Sequence, residues 1–216
     1  MPHIEIAGKS ILIEEEARYI QVDDVNEKEA EEIWRHIEAE YPGFTVDFCF
    51  HNTVAPIPFL KKIGAEVLDD CIEARLVKKN LISLPTGEVT AVDKNNFHLF
   101  EARHDENNPG MFWTSQRLLN DLKNWDIFAT FDQKGEKMTG YAFLRSGWEI
   151  YCVDAESLEE EITLISALVN KAFDANPDKE VLFMVDSNDY RQLGAALHLG
   201  FRRAGYYIGY RVEAKT

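Results

Sequence analysis

Apolar residues alternate with polar ones in several short runs and recur at three- and four-residue spacing in a few longer ones. Residues 3 to 24 alternate, which predicts two or three strands with a turn at Gly8-Lys9 and apolar positions at Ile11 to Ile13 and Tyr19 to Val22. Ala30, Ile33, Trp34 and Ile37 fall on one helical face, so a helix is expected from a cap at Asn26 through Glu40, ended by Pro42-Gly43. Phe44 to Phe50 is an apolar strand, and a polar connection follows from Lys78 to Gly87, with Pro85 inside it. Beyond it, Glu88 to Val92 predicts a short strand and Asp93 the cap of a helix to about His104, before the break Asn107-Asn108-Pro109-Gly110. Trp113 to Trp125 predicts a helix with Leu118, Leu119 and Leu122 inward. Asp126 to Phe131 and Thr139 to Leu144 form a hairpin around Gln133-Lys134-Gly135, and Trp148 to Val153 is a further strand. Leu158 to Phe173 places Ile162, Ile165, Val169 and Phe173 on one helical face, with Asn176-Pro177 as its stop and Val181 to Val185 as the next strand.

One stretch occurs twice. Asn52 to Arg75 and Asn188 to Arg211 share the spacing of 12 positions from Asn to Gly and 11 from Gly to Arg. Each has an apolar strand in front, a short helix, a Gly and a second strand, and a Gly closing a helix suits the left-handed backbone there. An internal repeat is therefore expected, with Gly64 and Gly200 at matching helix ends and Asn52 and Asn188 at matching strand ends.

Composition limits the function. The 216 residues hold one large domain or two small ones, and 45% apolar with 28% charged residues is ordinary for a globular protein. Lys and Arg number 23 against 38 Asp and Glu, a net charge of −15. Such a balance argues against nucleic acid and anionic lipid as partners, since both are held by cations that neutralise phosphate. The apolar runs are too short for a membrane span, and the charged start is unlike a signal peptide, so a cytoplasmic protein is expected. Cys49, Cys71 and Cys152 lie in apolar runs without metal-ligand spacing and are expected to be reduced core residues, with no metal site.

The element order from Glu88 onward, the hairpin text FATFDQKGEKMTGYAFL and the pair Gly200-Phe201 together resemble the GNAT acyltransferase superfamily. The resemblance covers about residues 86 to 213 as a whole domain and about 10 to 78 as a partial one. It implies an α/β fold whose mixed, mostly antiparallel sheet is flanked by helices, duplicated with the first copy incomplete. The units expected are 1–78, truncated, then a connection at 79–87, then a complete domain at 88–216. A truncated unit that lacks strands cannot bury its sheet face alone, so the two are expected to pack as one body.

In the resembled family, acyl-CoA enters a gap between the fourth and fifth strands. Its pantetheine arm lies on the backbone of the fourth strand, and its pyrophosphate sits on a Gly-rich loop at the next helix N-terminus. By position these are Cys152, Val153 and Asp154, then the loop Asp154-Ala155-Glu156-Ser157 ending at Ser157, with Asn188 after the fifth strand. That loop has no Gly and no Arg. Ser157 with Glu160 reads as a capping box, and Glu156, Glu159, Glu160 and Glu161 repel phosphate by about 0.7 kcal/mol per unit charge at about 6 Å in water. Asp23-Asp24-Val25-Asn26-Glu27 in the first copy is as acidic. Glu149 on the fourth strand is the candidate general base. The family's Tyr four residues before the Gly, the proton donor to the leaving thiolate, is Ala196 here and Leu60 in the first copy. Asn188 is equally readable as the cap of the following helix, Glu149 as a solvated carboxylate, and the acids after Asp154 as partners of a helix dipole.

The resemblance thus implies N-acetyl transfer from acetyl-CoA to a small amine or peptide amine, cationic acceptors being favoured by the acidic charge. The alternative is a GNAT-fold module without catalysis that binds a metabolite or a protein. The sequence leaves the oligomeric state open.

Overall fold

The computed structural model describes residues 3–82, 87–109 and 111–215, so Pro85 and Gly110 lie outside the described residues. The chain divides into two compact units, Met1–Ile72 with Gly205–Thr216 (unit 1) and Glu73–Ala204 (unit 2).

In unit 1, β1 (His3–Ile6), β2 (Lys9–Glu14) and β3 (Tyr19–Asp23) form an antiparallel meander. The chain crosses back through α1 (Glu27–Glu40) and adds β4 (Thr45–His51) parallel to β3. Asn26 starts α1 as expected: its side chain accepts from the Glu29 N–H at 3.1 Å, and Glu29 accepts from the Asn26 N–H at 3.0 Å, a reciprocal capping box. Ala30, Ile33, Trp34 and Ile37 are buried on Ile11, Ile13, Ile20, Val22, Val46, Phe48 and Phe50, the period-2 face of the sheet. Next comes α2 (Ile57–Ile63), ended by Gly64 at φ 80°, where only glycine is free of a Cβ penalty.

Unit 2 begins its sheet with β6 (Thr90–Ala91), then adds α3 (Phe97–Asn107), α4 (Ser115–Asn120), β7 (Trp125–Phe131), β8 (Met138–Arg145) and β9 (Glu149–Ala155). The crossover α5 (Leu158–Ala175) leads to β10 (Val181–Asp186), and α6 (Tyr190–His198) follows. β7, β8 and β9 are antiparallel and β10 is parallel to β9, which repeats the pairing pattern of β1 to β4.

The closing strands are exchanged with respect to the sequence repeat. The strand after the second Gly, β11 (Arg202–Glu213), pairs antiparallel with β4 from Tyr207↔His51 to Glu213↔Thr45, inside unit 1. The strand after the first Gly, β5 (Glu66–Leu76), sends its end, from Glu73 on, into unit 2 as the neighbour of β10. Arg75 there is 3.2 Å from Glu180. Asp47 on β4 locks the β11 register, accepting 2.7 Å bonds from Arg211 Nε and Nη2 and a 2.9 Å bond from the Tyr19 hydroxyl.

Several expected boundaries shift. The helix expected from Asp93 starts at Phe97, because the Asp93 carboxylate accepts from the Asn95 N–H at 2.7 Å and the Asn96 carboxamide from the Asp93 N–H at 2.7 Å, a local turn that competes with helix. The helix expected over Trp113 to Trp125 is only Ser115–Asn120 followed by a 3₁₀ turn, Leu122–Asn124, and Trp125 already opens β7 opposite Arg145. The strand expected over Glu88 to Val92 is two residues long, Thr90–Ala91. Among the described residues no helix is long and apolar enough to cross a membrane.

Candidate functional site

Two features of β9 create the site. The register of β8 against β9 shifts between Phe143 and Leu144, opposite Cys152 and Ile150, so Tyr151 is the extra residue of a bulge. A bulge bends its strand and increases the twist. On the other side, β9 pairs with β10 only at Glu149↔Leu182 and Ile150↔Phe183. Past Ile150 the two strands part, and the main chain of Cys152 to Ala155 loses its strand neighbour on that side. Carbonyls two residues apart on a strand point the same way, so those of Val153 and Ala155 both face the gap.

α6 fills this edge with side chains. Gln192 Nε2 donates to the Val153 carbonyl at 3.1 Å, and Arg191 Nη2 donates to the Ala155 carbonyl at 3.0 Å. Arg191 also pairs with Glu161 of α5, Nε to Oε1 at 2.9 Å and Nη2 to Oε1 at 2.6 Å. Glu161 is buried, and burial raises its pKa although Arg191 pulls the other way. Its second oxygen, Oε2, has no hydrogen-bond partner.

The expected site residues are brought together only in part. β9 runs to Ala155, so the expected loop from Asp154 shrinks to Glu156 and Ser157. Asp154 accepts from Arg103 Nε at 3.0 Å and from Asn107 Nδ2 at 2.7 Å, while Lys137 lies 2.8 Å from Glu156. Ser157 and Glu160 form the expected capping box, the Ser157 N–H donating to Glu160 Oε2 at 3.1 Å and the Glu160 N–H to Ser157 Oγ at 3.2 Å. Two of the groups a phosphate would use are thereby occupied.

Cys152 sits beside Tyr141, and burial and the Asp154 charge push its thiol up to about 12, so it stays protonated and unreactive at neutral pH. Tyr141 is held on its other side by Asn108 Nδ2 at 2.6 Å and by His104. His104 Nε2 donates to the Trp113 carbonyl at 2.8 Å, since a carbonyl only accepts, and its Nδ1 lies 3.2 Å from the Tyr141 hydroxyl. Glu149 lies at the closed apex of the gap, with Arg145 Nη1 at 3.9 Å.

Asn188 is exposed, and its N–H donates to Asp186 Oδ1 at 2.7 Å. It does not cap α6; the cap is Asp189, whose carboxylate accepts from the Gln192 N–H at 2.9 Å. Ala196, where the resembled family keeps a Tyr, is fully buried. Arg191 and Gln192 were not singled out in the sequence. Their one signal is distance from Gly200, which puts them on the first turn of the helix flanking the gap.

Among the described residues, unit 1 has no such opening. β3 and β4 stay paired through Asp23↔Cys49; the Asp24 N–H then donates to the Cys49 carbonyl at 2.9 Å and the His51 N–H to Asp24 Oδ1 at 2.8 Å. A cleft of about 300 Å³ lies instead at the start of α1, lined by Lys9, Asp24, Asn26, Glu29 and Thr53. Its acids and the closed capping box make it a poor seat for an anion.

No family model and no curated protein sequence matches the chain. Solved structures do. A GCN5-related N-acetyltransferase from Sphaerobacter thermophilus is 14% identical at a TM-score of 0.63, over 96% of this chain and 76% of that one. One from Kribbella flavida is 11% identical at 0.63, over 97% and 88%. A tandem GNAT protein from the clavulanic acid biosynthesis pathway, solved without AcCoA, is 10% identical at 0.60, over 98% and 82%. At these identities the likeness speaks for the fold, and with the repeated strand pattern and the parted fourth and fifth strands of unit 2 it establishes that this chain has the GNAT fold, laid out in tandem.

Proposed function

We propose that the chain is a GNAT-type acyltransferase in which unit 2 alone takes the acyl donor, acetyl-CoA, and passes the acyl group to a small amine or peptide amine. One observation carries the reading: β9 and β10 part after Ile150 and Phe183, leaving strand carbonyls directed into a gap that ends at the start of α5. A donor with an amide-bearing arm fits such an edge, because a strand without its neighbour must satisfy its carbonyls in another way. Among the described residues unit 1 lacks the feature. The solved neighbours described as N-acetyltransferases lend the same reading support at the level of fold.

The residues assigned to the donor are the main chain of Cys152, Val153 and Asp154, the α5 start at Ser157, and Asn188. Arg191 supplies the cation that the loop itself lacks. It stands 3.0 Å from the Ala155 carbonyl, where a displaced guanidinium meets a diphosphate. A bound thioester supplies an acyl carbon at which an amine nitrogen replaces sulfur, the C–N bond forming as the C–S bond breaks. Glu149 at the apex is assigned as the base that takes the amine proton, directly or through water, with Arg145 Nη1 3.9 Å away.

A second reading, a GNAT-fold binding module without catalysis, is favoured by two observations. Ala196 stands where the proton donor is expected, and the Ser157–Glu160 box occupies phosphate-binding N–H groups. Thiol release from acetyl-CoA in the presence of a polyamine and a Lys-containing peptide panel separates the two. We expect acceptor-dependent release that falls about a hundredfold in Glu149→Gln. Binding of acetyl-CoA without release on any acceptor would support the second reading.

A further inference from the structure

The hydrogen bonds of α6 to β9 go beyond holding a helix in place. We infer that Gln192 is a plug: its carboxamide stands in for the ligand's amide on the Val153 carbonyl and keeps the gap of unit 2 closed until a donor displaces it. This rests on the acyl-CoA reading above and adds a residue that sets access to the site.

Consecutive residues of α6 serve alternate carbonyls of β9, Gln192 on Val153 and Arg191 on Ala155, so one helical turn replaces the missing strand neighbour. The two contacts differ in kind. Arg191 is about half exposed and has a second anchor in Glu161, so its guanidinium can leave the carbonyl without losing its ion pair. Gln192 is 9% exposed, and its bond to Val153 is buried. A buried carbonyl left bare is penalised, which explains why the resting chain keeps the carboxamide there. The same bond competes with any ligand that needs this carbonyl. Gln192 lies on the buried face of α6 together with Leu193, Ala195 and Ala196, so three apolar residues still anchor the helix when Gln192 is shortened. Shortening Gln192 should leave the helix in place.

The test is titration calorimetry of the full chain with coenzyme A and, separately, with D-pantetheine, on wild type, Gln192→Ala and Gln192→Asn. Asparagine keeps the polarity but is one carbon too short for the 3.1 Å bond. Removing one competing hydrogen bond should tighten coenzyme A by about tenfold in both variants. Pantetheine has no phosphate and should gain by the same factor, which places the effect at the Val153 carbonyl and not at Arg191. Equal, measurable affinity in all three proteins would overturn the plug and leave the gap assignment standing. No heat with any protein and either probe would overturn both.

Discussion

At the scale of single residues, buried groups that must stay neutral leave a mark on stability. Burial first, then neighbouring carboxylates, raise the pKa values of Tyr19 and Cys49 in unit 1, and burial and then its neighbour Cys49 raise that of Tyr207; Tyr141 is raised by burial and its neighbours Cys152 and Asp154, and Cys152 goes up to about 12. A group whose folded pKa lies above its unfolded one contributes its stability below the unfolded value and loses it as pH rises further. Unfolded cysteine titrates near pH 8.5 and tyrosine near 10, so the melting temperature should hold from pH 7 to about 8.5 and then fall steadily to pH 10.5. A melting temperature unchanged at pH 10.5 would contradict these burials. Cys49 was legible in sequence as a buried residue of an apolar run, whereas Cys71 and Cys152, expected in the core as well, are only half-buried because their strands face solvent there in part. The Asp47–Arg211–Tyr19 cluster was not, because its members come from three strands whose pairing no local pattern records.

At the scale of elements, local signals were sound where one residue type had one use. Asn26 and Ser157 cap α1 and α5, and both capping boxes close as the S/T/N-x-x-E spacing requires. The signal failed where a polar side chain had two uses: Asp93 made a turn with Asn95 and Asn96, and Asp189 displaced Asn188 as the cap of α6. Gly200 was legible as a helix stop, and the reason is stronger than the turn alone. Its φ is 98°, and a Cβ there would collide with the Asn80 carbonyl oxygen. Gly200→Ala should therefore cost about 2 to 3 kcal/mol, strain and displacement of main chain together, read from urea unfolding. A loss under about 0.5 kcal/mol would mean that this turn relaxes freely. The plug residues were illegible for a further reason: a Gln on an amphipathic helix gives no sign of which carbonyl it will meet.

At the scale of the whole molecule, the repeat predicted two copies of one strand pattern, and both are present. The exchange of closing strands was not predicted, since the two copies of the final strand have the same spacing and either satisfies the pattern. Pairing chose β11 for β4, where the Arg211–Asp47 bonds lock it, and left the end of β5 beside β10. The copies also differ in what they can bind. β3 and β4 stay zipped to Asp23, whereas β9 and β10 part after Ile150. On the proposed function the described residues hold one acyl-donor gap, in unit 2. Amide hydrogen exchange of the intact protein, with and without saturating acetyl-CoA, tests this most directly. Protection should appear over residues 150–160 and 188–196 and be absent over 19–30. Protection over 19–30, or no change anywhere in the chain, would contradict it.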